Sequence, residues 1–380
     1  MSGALSDGAE RGRLLVPYLL TGDVEEAGAR ARVICLEQTV EVPEDLLPAG
    51  FIREEVVGRV ESLRPAGPGC QRAQISFPVE ATARELLQLA NVVFGNVSIK
   101  PGIRVERLAL PADLLAAFPG PRFGRAGLRA RAGVPRRPLV CTALKPMGLS
   151  AEDLAAQARQ FALGGIDLIK DDHGLTDQPY APFAERVARC CEAVAEANAR
   201  TGRRCAYLPN VTGPAGALLE RAHLARRHGA GGLLVSPFLA GLDAMRQLAA
   251  DGGLDLPVLA HPAFGGSFVT SGSSGFSHGA LYGQLMRLAG ADATIYPNYG
   301  GRFAFTRAEC TEIAAATAEP MGSIAPIFPA PGGGMTVDRV PDMLAVYGRE
   351  FVMLIGGGLH RRGPDLAESA RYFVALLEGM

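Results

Sequence analysis

The chain lacks an excess of charge of either sign, since 38 basic residues stand against 39 acidic ones and the formal net charge is -1. Its arginine clusters, such as RRPL and ARRHGA, are short and have no interleaved aromatic residues. Short clusters of this kind are typical of a solvated face, whereas a nucleic-acid interface needs an extended basic surface. The charge balance therefore argues against nucleic acid and membrane surfaces as partners.

Long apolar runs are also missing. No run reaches the roughly 18 residues that a membrane-spanning helix needs, and the first dozen residues, MSGALSDGAERG, lack the apolar centre of a signal peptide. The seven cysteines are odd in number and do not have the spacing of a metal finger. We therefore expect a cytoplasmic protein with reduced cysteines and no membrane partner.

What the chain does contain is a large apolar fraction, 48% of 380 residues, which is enough for a large core. This length exceeds a usual single domain and predicts a smaller domain beside a larger one. Residues 1–120 have the pattern of a small α+β domain, with strands at VPYLLTG, ARVICLEQTVEV and AQISFPVE and a helix at ATARELLQLANVVFG. Proline and glycine in PGPRFGRAG and GVPRRP mark the connection, so the predicted domains are 1–120 and 121–380.

From about residue 139 one unit repeats: an apolar run rich in β-formers, a polar or glycine loop, and an alanine-rich amphipathic segment. The eight predicted strands are LVCTALK, GIDLIKDD, RCAYLPNVT, GGLLVSPF, PVLAHPAF, DATIYPN, SIAPIFPA and FVMLIGG. Helical patterns lie between them, for example at 151–163 and 182–200. Eight such units in series predict an α/β fold, a (β/α)8 TIM barrel preceded by the small α+β N-terminal domain, because this barrel closes at eight strands and takes about 250 residues.

Polar residues end the predicted barrel strands, and the active site of such a barrel lies at the carboxyl ends of its strands. The strand-end residues are Lys145, Lys170, Asp171, Asp172, His173, Asn210, His261, Tyr296 and Asn298, followed by the triple glycines Gly332, Gly333, Gly334 and Gly356, Gly357, Gly358. We expect them to form one ring around the mouth of the barrel.

The segment GGIDLIKDDHG, residues 164–174, carries the densest group of ionisable residues. Alternation along a strand points Lys170 and Asp172 to the same side, with His173 just beyond the strand end. Buried charges need partners. Two states of Lys170 fit this pattern: an ammonium paired with a carboxylate, or a carbamate formed with CO2 that serves as an anionic metal ligand. The spacing does not decide between them.

GGIDLIKDDHG followed by QPYAPFAERV resembles the strand-2 signature of the RuBisCO superfamily, and TALKPMGLS, YLPNVTG, FSHGALYGQLMRLAGAD and PGGGMTVDRVPDML follow in that family's order and spacing. The resemblance covers nearly the whole chain. It implies a carbamylated lysine at Lys170, a metal-binding aspartate at Asp172, a proton-handling lysine at Lys145 and a strand-5 histidine at His261.

The resemblance also extends to the small domain. Glu37 and Thr39 of LEQTV and Asn96 of FGN match residues that complete the active site of a neighbouring subunit. It therefore implies a homodimer with shared active sites, in which these three residues contact the substrate.

Several positions depart from the family pattern. His173 stands where the family has its metal-binding glutamate, Met147 where it has a second lysine, and Pro262 and Gly265 where it has a phosphate-binding arginine and a further histidine. The loop after strand 6, which brings a lysine over CO2 in true carboxylases, is YPNYGGRFAF here. We therefore expect a RuBisCO-like protein of form IV and no carboxylation of ribulose bisphosphate.

The histidine at position 173 bears on the expected cofactor. Mg2+ prefers oxygen ligands, so a nitrogen ligand lowers its affinity and lets Mn2+ compete. We expect Mg2+, or Mn2+, at Lys170, Asp172 and His173. The alternative is that no metal binds and His173 acts as an acid or base, since its ordinary pKa lies near neutrality.

The two triple-glycine turns predict one phosphate site made of backbone N–H groups. Pro262 has no side-chain donor with which to bind a second phosphate. The sequence therefore predicts a singly phosphorylated sugar or sugar acid as the substrate. We assign Asn210 and Arg302 to substrate binding, with Arg302 facing a carboxylate.

The resemblance implies enolate chemistry, with Lys145, Lys170 and His261 as catalytic residues, and so a lyase or isomerase. The expected reaction is decarboxylation or hydrolysis of a substrate of the 3-oxo-isoapionate 4-phosphate type. The alternatives are an enolase or isomerase of a methylthio-ribulose phosphate and a non-catalytic binding protein on the same scaffold.

Overall fold

The computed structural model describes residues 12–301, 303 and 305–379. Contacts divide the chain into two compact units. The described residues of the first unit fall within Met1–Pro119, Gly265–Leu285 and Pro320–Ile324, and those of the second within Gly120–Phe264, Met286–Glu319 and Ala325–Met380. Because the chain returns twice to the first unit, a single domain boundary at residue 120 stays a prediction.

The strands follow each other along the chain in thirteen segments of the described residues. They are β1 (Arg13–Thr21), β2 (Arg59–Gly67), β3 (Cys70–Pro78), β4 (Ile103–Val105), β5 (Leu139–Ala143), β6 (Leu168–Lys170), β7 (Ala206–Leu208), β8 (Leu233–Val235), β9 (Val258–Ala260), β10 (Gly275–Phe276), β11 (Ala293–Pro297), β12 (Phe328–Gly332) and β13 (Val352–Leu354).

The α-helices alternate with the strands of the second unit and are fewer in the first. They are α1 (Val24–Glu37), α2 (Leu86–Phe94), α3 (Ala112–Leu115), α4 (Gly124–Ala132), α5 (Ala151–Leu163), α6 (Phe183–Thr201), α7 (Ala215–Arg227), α8 (Pro237–Ala240), α9 (Leu242–Ala250), α10 (Met286–Leu288), α11 (Arg307–Ala316), α12 (Val340–Tyr347), α13 (Gly357–Arg362) and α14 (Leu366–Glu378). None of the helices within the described ranges combines the length and apolar character that crossing a bilayer requires.

The first unit is built on a five-stranded sheet in the order β10-β4-β1-β3-β2. Its central strand, β1, pairs antiparallel with β3 along its whole length. Alternate residues of β1, namely Leu14, Val16, Tyr18 and Leu20, are fully buried, as expected for a strand with one face on the core. The sheet with α1 and α2 forms the expected α+β unit.

One sequence prediction in this unit is wrong. The segment ARVICLEQTVEV was expected to be a strand, but its first seven residues belong to helix α1. The helix begins at a capping box in which Asp23 and Glu26 each accept a hydrogen bond from the other's backbone N–H. Its buried residues, Ala27, Ala31, Ile34 and Cys35, have helical spacing, so the β-branched residues were weaker evidence than the cap upstream of them.

The second unit is a barrel of eight parallel strands. Its two hydrogen-bonded halves have the orders β13-β5-β6-β7 and β12-β11-β9-β8. A parallel bridge between Asn210 and Leu234 joins β7 to β8. At the other junction β12 lies beside β13, where a Cβ atom at Gly332 would lie 2.6 Å from Cδ2 of Leu354. Each of the eight predicted strands overlaps an observed one, and the predicted fold class is confirmed.

The barrel interior is a packed hydrophobic core. Every barrel strand contributes to it through alternate residues, and α4 and the turn after it add three more. The cluster contains Leu128, Ala132, Val134, Leu139, Cys141, Leu168, Leu208, Leu234, Leu259, Ala293, Ile295, Phe328, Ala330 and Val352, with Ala206 and Leu354 packed against it. A filled interior of this kind leaves the strand ends as the place for chemistry.

A buried aspartate holds α4 at the amino ends of the strands. Asp292 accepts hydrogen bonds from the backbone N–H groups of Phe123, Gly124 and Val258, at 2.8, 2.7 and 2.9 Å. Burial raises the pKa of this carboxyl to about 6, against the lowering effect of the three donors. At neutral pH Asp292 is therefore mainly ionised and accepts all three bonds.

We predict that Asp292→Ala destabilises the protein by about 3–5 kcal/mol, because three N–H groups lose their acceptor where water has little access. Asp292→Asn keeps one oxygen and should cost less. Urea unfolding followed by circular dichroism measures both. Equal stability of wild type and Asp292→Ala would show that the N–H groups find other acceptors.

Candidate active site

The carboxyl ends of neighbouring parallel strands carry the predicted site residues. The ladder between β5 and β6 continues to the Leu144 N–H, which donates to the Lys170 carbonyl at 2.9 Å. His261 directly follows β9, and its N–H donates to the Val235 carbonyl at 2.8 Å. The ladder bonds thus extend to the residues that end β5, β6 and β9, which fixes the backbone from which the site side chains project.

Asp172 is the residue that connects the others. Its Oδ2 accepts a hydrogen bond from Nζ of Lys145, and its Oδ1 lies 2.7 Å from Nδ1 of His173. Burial favours the protonated form, but the bonds from His173 and Lys145 outweigh it and hold the pKa of Asp172 well below its usual range. Asp172 is therefore a carboxylate at any working pH.

The imidazole rings of His173 and His261 stack, with centroids 4.4 Å apart and planes 8° from parallel. Burial lowers the pKa of His261 to about 2, so this ring is neutral. Its Nδ1 accepts a hydrogen bond from the Ala263 N–H at 3.2 Å. The ring proton of His261 must then sit on Nε2, which makes that atom a hydrogen-bond donor.

Lys170 is buried, with 4% of its surface exposed, and its Nζ donates to the Asp171 carbonyl at 3.1 Å. Burial lowers the pKa of this amine, and the neutral amine is the form that reacts with CO2. Asp171 pairs with Arg186, and Asp172 pairs with Lys145 and His173. Both carboxylates also act on the Lys170 amine by raising its pKa, so the state of Lys170, ammonium or carbamate, stays a prediction.

The donor atoms fit a metal that accepts nitrogen. Metal-binding histidines usually donate their second ring N–H to a carboxylate, and His173 donates Nδ1–H to Asp172, which leaves Nε2 free as a ligand atom. No group of three or more His, Cys, Asp or Glu side chains arranged for a metal occurs in the part of the chain that the structure describes. A carbamate on Lys170 would supply the third donor next to Asp172 and His173.

Asp171 points away from this cluster into a buried network behind the strand. It pairs with Nε of Arg186 at 3.2 Å and accepts hydrogen bonds from the Tyr207 hydroxyl at 2.7 Å and the Asn210 N–H at 3.0 Å. Arg186 also donates to the Thr176 and Ala181 carbonyls. Sequence reasoning missed Arg186, although a charged residue among the core positions of α6 is a signal of a buried partner.

The carboxamide of Asn210 is occupied by the backbone. Its Nδ2 donates to the carbonyls of His173 and Leu175, both at 2.9 Å, and its Oδ1 accepts from the Thr212 N–H at 3.1 Å. These bonds tie the loop after β6 to the loop after β7. The structure thus gives Asn210 a role in positioning the loop of His173, and its contact with substrate stays a prediction.

The two triple-glycine turns lie at the ends of β12 and β13. Gly333 and Gly334 have left-handed φ angles of 87° and 85°, which favour glycine. A Cβ atom at Gly356 or Gly357 would meet nothing within 4 Å, so the space in front of this backbone is open. Both features suit a ligand that approaches the main chain closely.

Four predicted site residues remain. Glu37, Thr39 and Asn96 belong to the first unit, where Asn96 Nδ2 donates to Glu37 Oε1 at 3.2 Å and the Thr39 hydroxyl donates to the Cys35 carbonyl at 2.7 Å. Arg302 lies outside the described residues.

Taken together, the fold and the strand-end cluster define a (β/α)8-barrel protein with an enzyme-like site of amine, carboxylate and imidazole groups. The family model for the ribulose bisphosphate carboxylase large chain, catalytic domain, matches residues 126–366. The chain belongs to the RuBisCO family and is one of its RuBisCO-like proteins.

Two relatives and one solved structure illustrate the similarity. Ribulose bisphosphate carboxylase-like protein 1 of Rhodopseudomonas palustris is 41% identical over 363 residues, 96% of this chain and 97% of that protein. The 5-methylthioribulose-1-phosphate isomerase of Rhodospirillum rubrum is 38% identical over 371 residues, 97% of this chain and 96% of that protein. The crystal structure of a Rubisco-like protein from Rhodopseudomonas palustris superimposes with a TM-score of 0.87 at 39% identity, covering 97% of this chain and 98% of that one.

We predict that Arg186→Met destabilises the protein by about 3–5 kcal/mol, because Asp171 is left as a buried charge without its partner. The double variant Arg186→Met with Asp171→Asn should recover part of this loss, since no unpaired charge remains. Thermal and urea unfolding measure both. If the double variant is no more stable than the single one, the ion pair is not the source of the effect.

Proposed function

We propose that this protein is an isomerase or enolase that removes a proton beside the carbonyl of a singly phosphorylated sugar of the methylthio-ribulose phosphate type. The observation that carries the proposal is the contact of Asp172 with both Lys145 and His173, beside the neutral His261 and the buried Lys170. The similarity to a methylthioribulose-phosphate isomerase supports this substrate over the oxo-acid expected first.

The ends of the substrate are the next element of the proposal. The open backbone at Gly356 and Gly357, with the turn at Gly332–Gly334, supports a site for one phosphate. At the opposite end the family's cations are replaced by Pro262 and Met147. Met147 is 47% exposed, and its sulfur would lie 2.5 Å from a Cβ atom at Gly174, beside His173. A thioether and a proline ring suit an apolar group better than a second phosphate.

Proton transfer is assigned to Lys145. Its side chain is 39% exposed, so a substrate carbon can reach Nζ. As the neutral amine, Nζ accepts the proton from the carbon beside the carbonyl. The ammonium that results is stabilised by Oδ2 of Asp172, which already contacts this atom. Nε2–H of His261 donates a hydrogen bond to the oxygen that gains negative charge.

A divalent metal, Mg2+ or Mn2+, is part of the proposal, held by a carbamate on Lys170 and by Asp172 and His173. When bound, it supplies positive charge beside the enolate oxygen. We also propose a homodimer in which Glu37, Thr39 and Asn96 of one subunit complete the site of the other.

The test of the function is exchange of substrate hydrogen with D2O, followed by NMR on 5-methylthioribulose 1-phosphate and other phosphorylated ketoses. We expect wild type to exchange the hydrogen beside the carbonyl, and Lys145→Ala to lose about 1,000-fold in rate because the base is gone. Lys100→Ala, which changes an exposed lysine of the first unit, is the matched control and should keep the rate. Absence of exchange by wild type on the whole panel would favour a non-catalytic binding protein.

A second prediction concerns the metal. His173→Glu should raise the affinity for Mg2+ about tenfold and raise that for Mn2+ less, because an oxygen ligand replaces a nitrogen one. Isothermal titration calorimetry in bicarbonate buffer measures both ions. His228→Glu adds the same charge at an exposed position and should change neither affinity. Equal Mg2+ binding by His173→Glu and wild type would exclude residue 173 as a ligand.

A further inference from the structure

The main chain of Lys145 lies beyond the regular ladder of β5. The last bond of this ladder joins the Leu144 N–H to the Lys170 carbonyl. The next residue after Lys145 is Pro146, which has no N–H group to donate. The N–H and carbonyl of Lys145 therefore need partners from outside the sheet.

A glutamine on α5 supplies both partners. Oε1 of Gln157 accepts from the Lys145 N–H at 3.2 Å, and Nε2 of Gln157 donates to the Lys145 carbonyl at 2.5 Å. The carboxamide thus pairs with the peptide groups of Lys145 as a neighbouring strand would. Twelve residues separate the two positions in sequence, so no local turn explains the contact.

The helix that carries Gln157 is itself well fixed. Ser150 and Asp153 form a capping box at its first turn, five residues after Lys145. Leu154, Ala158 and Phe161 bury the face on which it packs. Packing of α5 on the core therefore fixes the position of the Gln157 carboxamide. Its two hydrogen bonds in turn fix the main chain of Lys145.

Few side chains other than glutamine can make this pair of bonds. A carboxamide has an acceptor and a donor in one plane, which matches the carbonyl and N–H of one residue. Glutamate keeps the acceptor but loses the donor when ionised, leucine has neither, and asparagine is shorter by one methylene group. Glutamine at position 157 is therefore the residue type that fits this pair of hydrogen bonds.

We propose that Gln157 is a positioning residue for proton transfer, which holds the main chain of Lys145 so that Nζ stays between Asp172 and the substrate. This inference rests on the proposed function of Lys145. A lysine side chain has four flexible methylene groups, so its amine is placed only if both ends are held. Asp172 binds the amine at the tip of the Lys145 side chain, and Gln157 binds the main chain at its base.

The expected kinetic signature separates positioning from binding. A displacement of the base by about 1 Å costs up to about 100-fold in rate. The phosphate is held elsewhere in the proposal, by the glycine turns of β12 and β13. Loss of Gln157 should therefore lower kcat and leave KM almost unchanged.

The first experiment compares Gln157→Leu with Gln160→Leu on the exchange reaction. Gln160 is on the same helix, but its Oε1 accepts from the Leu366 N–H at 3.2 Å and does not face Lys145. We expect Gln157→Leu to lose about 10- to 100-fold in kcat with KM within about threefold of wild type, and Gln160→Leu to change both by less than about twofold. An equal loss in both variants, or a loss that appears mainly in KM, would overturn the proposal.

A second variant tests the donor directly. In Gln157→Glu a protonated carboxyl group restores both a donor and an acceptor, whereas the carboxylate lacks the donor. The rate of Gln157→Glu relative to wild type should therefore rise several-fold as the pH falls from 8 to 5, while that of Gln157→Leu stays flat. If Gln157→Leu does not fold, the pH dependence of the Gln157→Glu rate relative to wild type tests the proposal by itself. A relative rate that does not change between pH 8 and 5 contradicts the proposal.

A third measurement does not depend on the proposed reaction. The chain contains only three lysines, Lys100, Lys145 and Lys170, so acetylation by an amine-reactive ester is readily resolved by mass spectrometry. We expect the labelling rate of Lys145, relative to the exposed Lys100, to rise about threefold or more in Gln157→Leu, because the amine spends less time at Asp172.

The labelling result separates the two hypotheses. Faster labelling of Lys145 together with no exchange by wild type would reject the enzyme function but show that Gln157 holds Lys145 in place. Unchanged labelling would reject the positioning role whatever the activity.

Discussion

The carboxylate of Asp172 is the point on which the site depends, because its two oxygens contact different groups. One oxygen holds the Lys145 amine, and the other fixes which nitrogen of His173 carries the proton. His261 stacks on the His173 ring and is kept neutral mainly by its burial. One carboxylate thus holds both the Lys145 amine and the His173 ring, whereas burial sets the state of His261. Removing this carboxylate would release both the Lys145 amine and the His173 ring.

Much of the barrel could be predicted from sequence, because strand and helix periods differ and most strand ends carry polar residues or glycine. GGIDLIKDDHG identified the central residues, since apolar residues leading into four ionisable ones have few structural explanations. The small unit was harder. The run ARVICLEQTVEV favours a strand by its β-branched residues, yet Asp23 caps a helix upstream and tertiary burial decides in favour of α1.

Contacts between distant residues were beyond sequence reasoning for a physical reason. Gln157 and Arg186 act through side chains that reach other elements, and helical spacing alone gives the face but not the partner. The same holds for Asn210, whose amide is used by two loops. Such residues carry ordinary polar groups in ordinary helices or loops. Only the three-dimensional placement of the strand ends shows which backbone groups they satisfy.

The neighbours Asp171 and Asp172 show how a single strand serves two purposes. One is locked behind the strand by Arg186 and Tyr207, and the other is turned toward Lys145 and His173. Successive residues of an extended segment point to opposite sides, so Asp171 serves the support of the strand end while Asp172 serves the site. A change of side chain at position 173 would therefore leave the bonds of Asp171 with Arg186 and Tyr207 intact. The residues that support this segment and the residues that can change its chemistry are thus different ones.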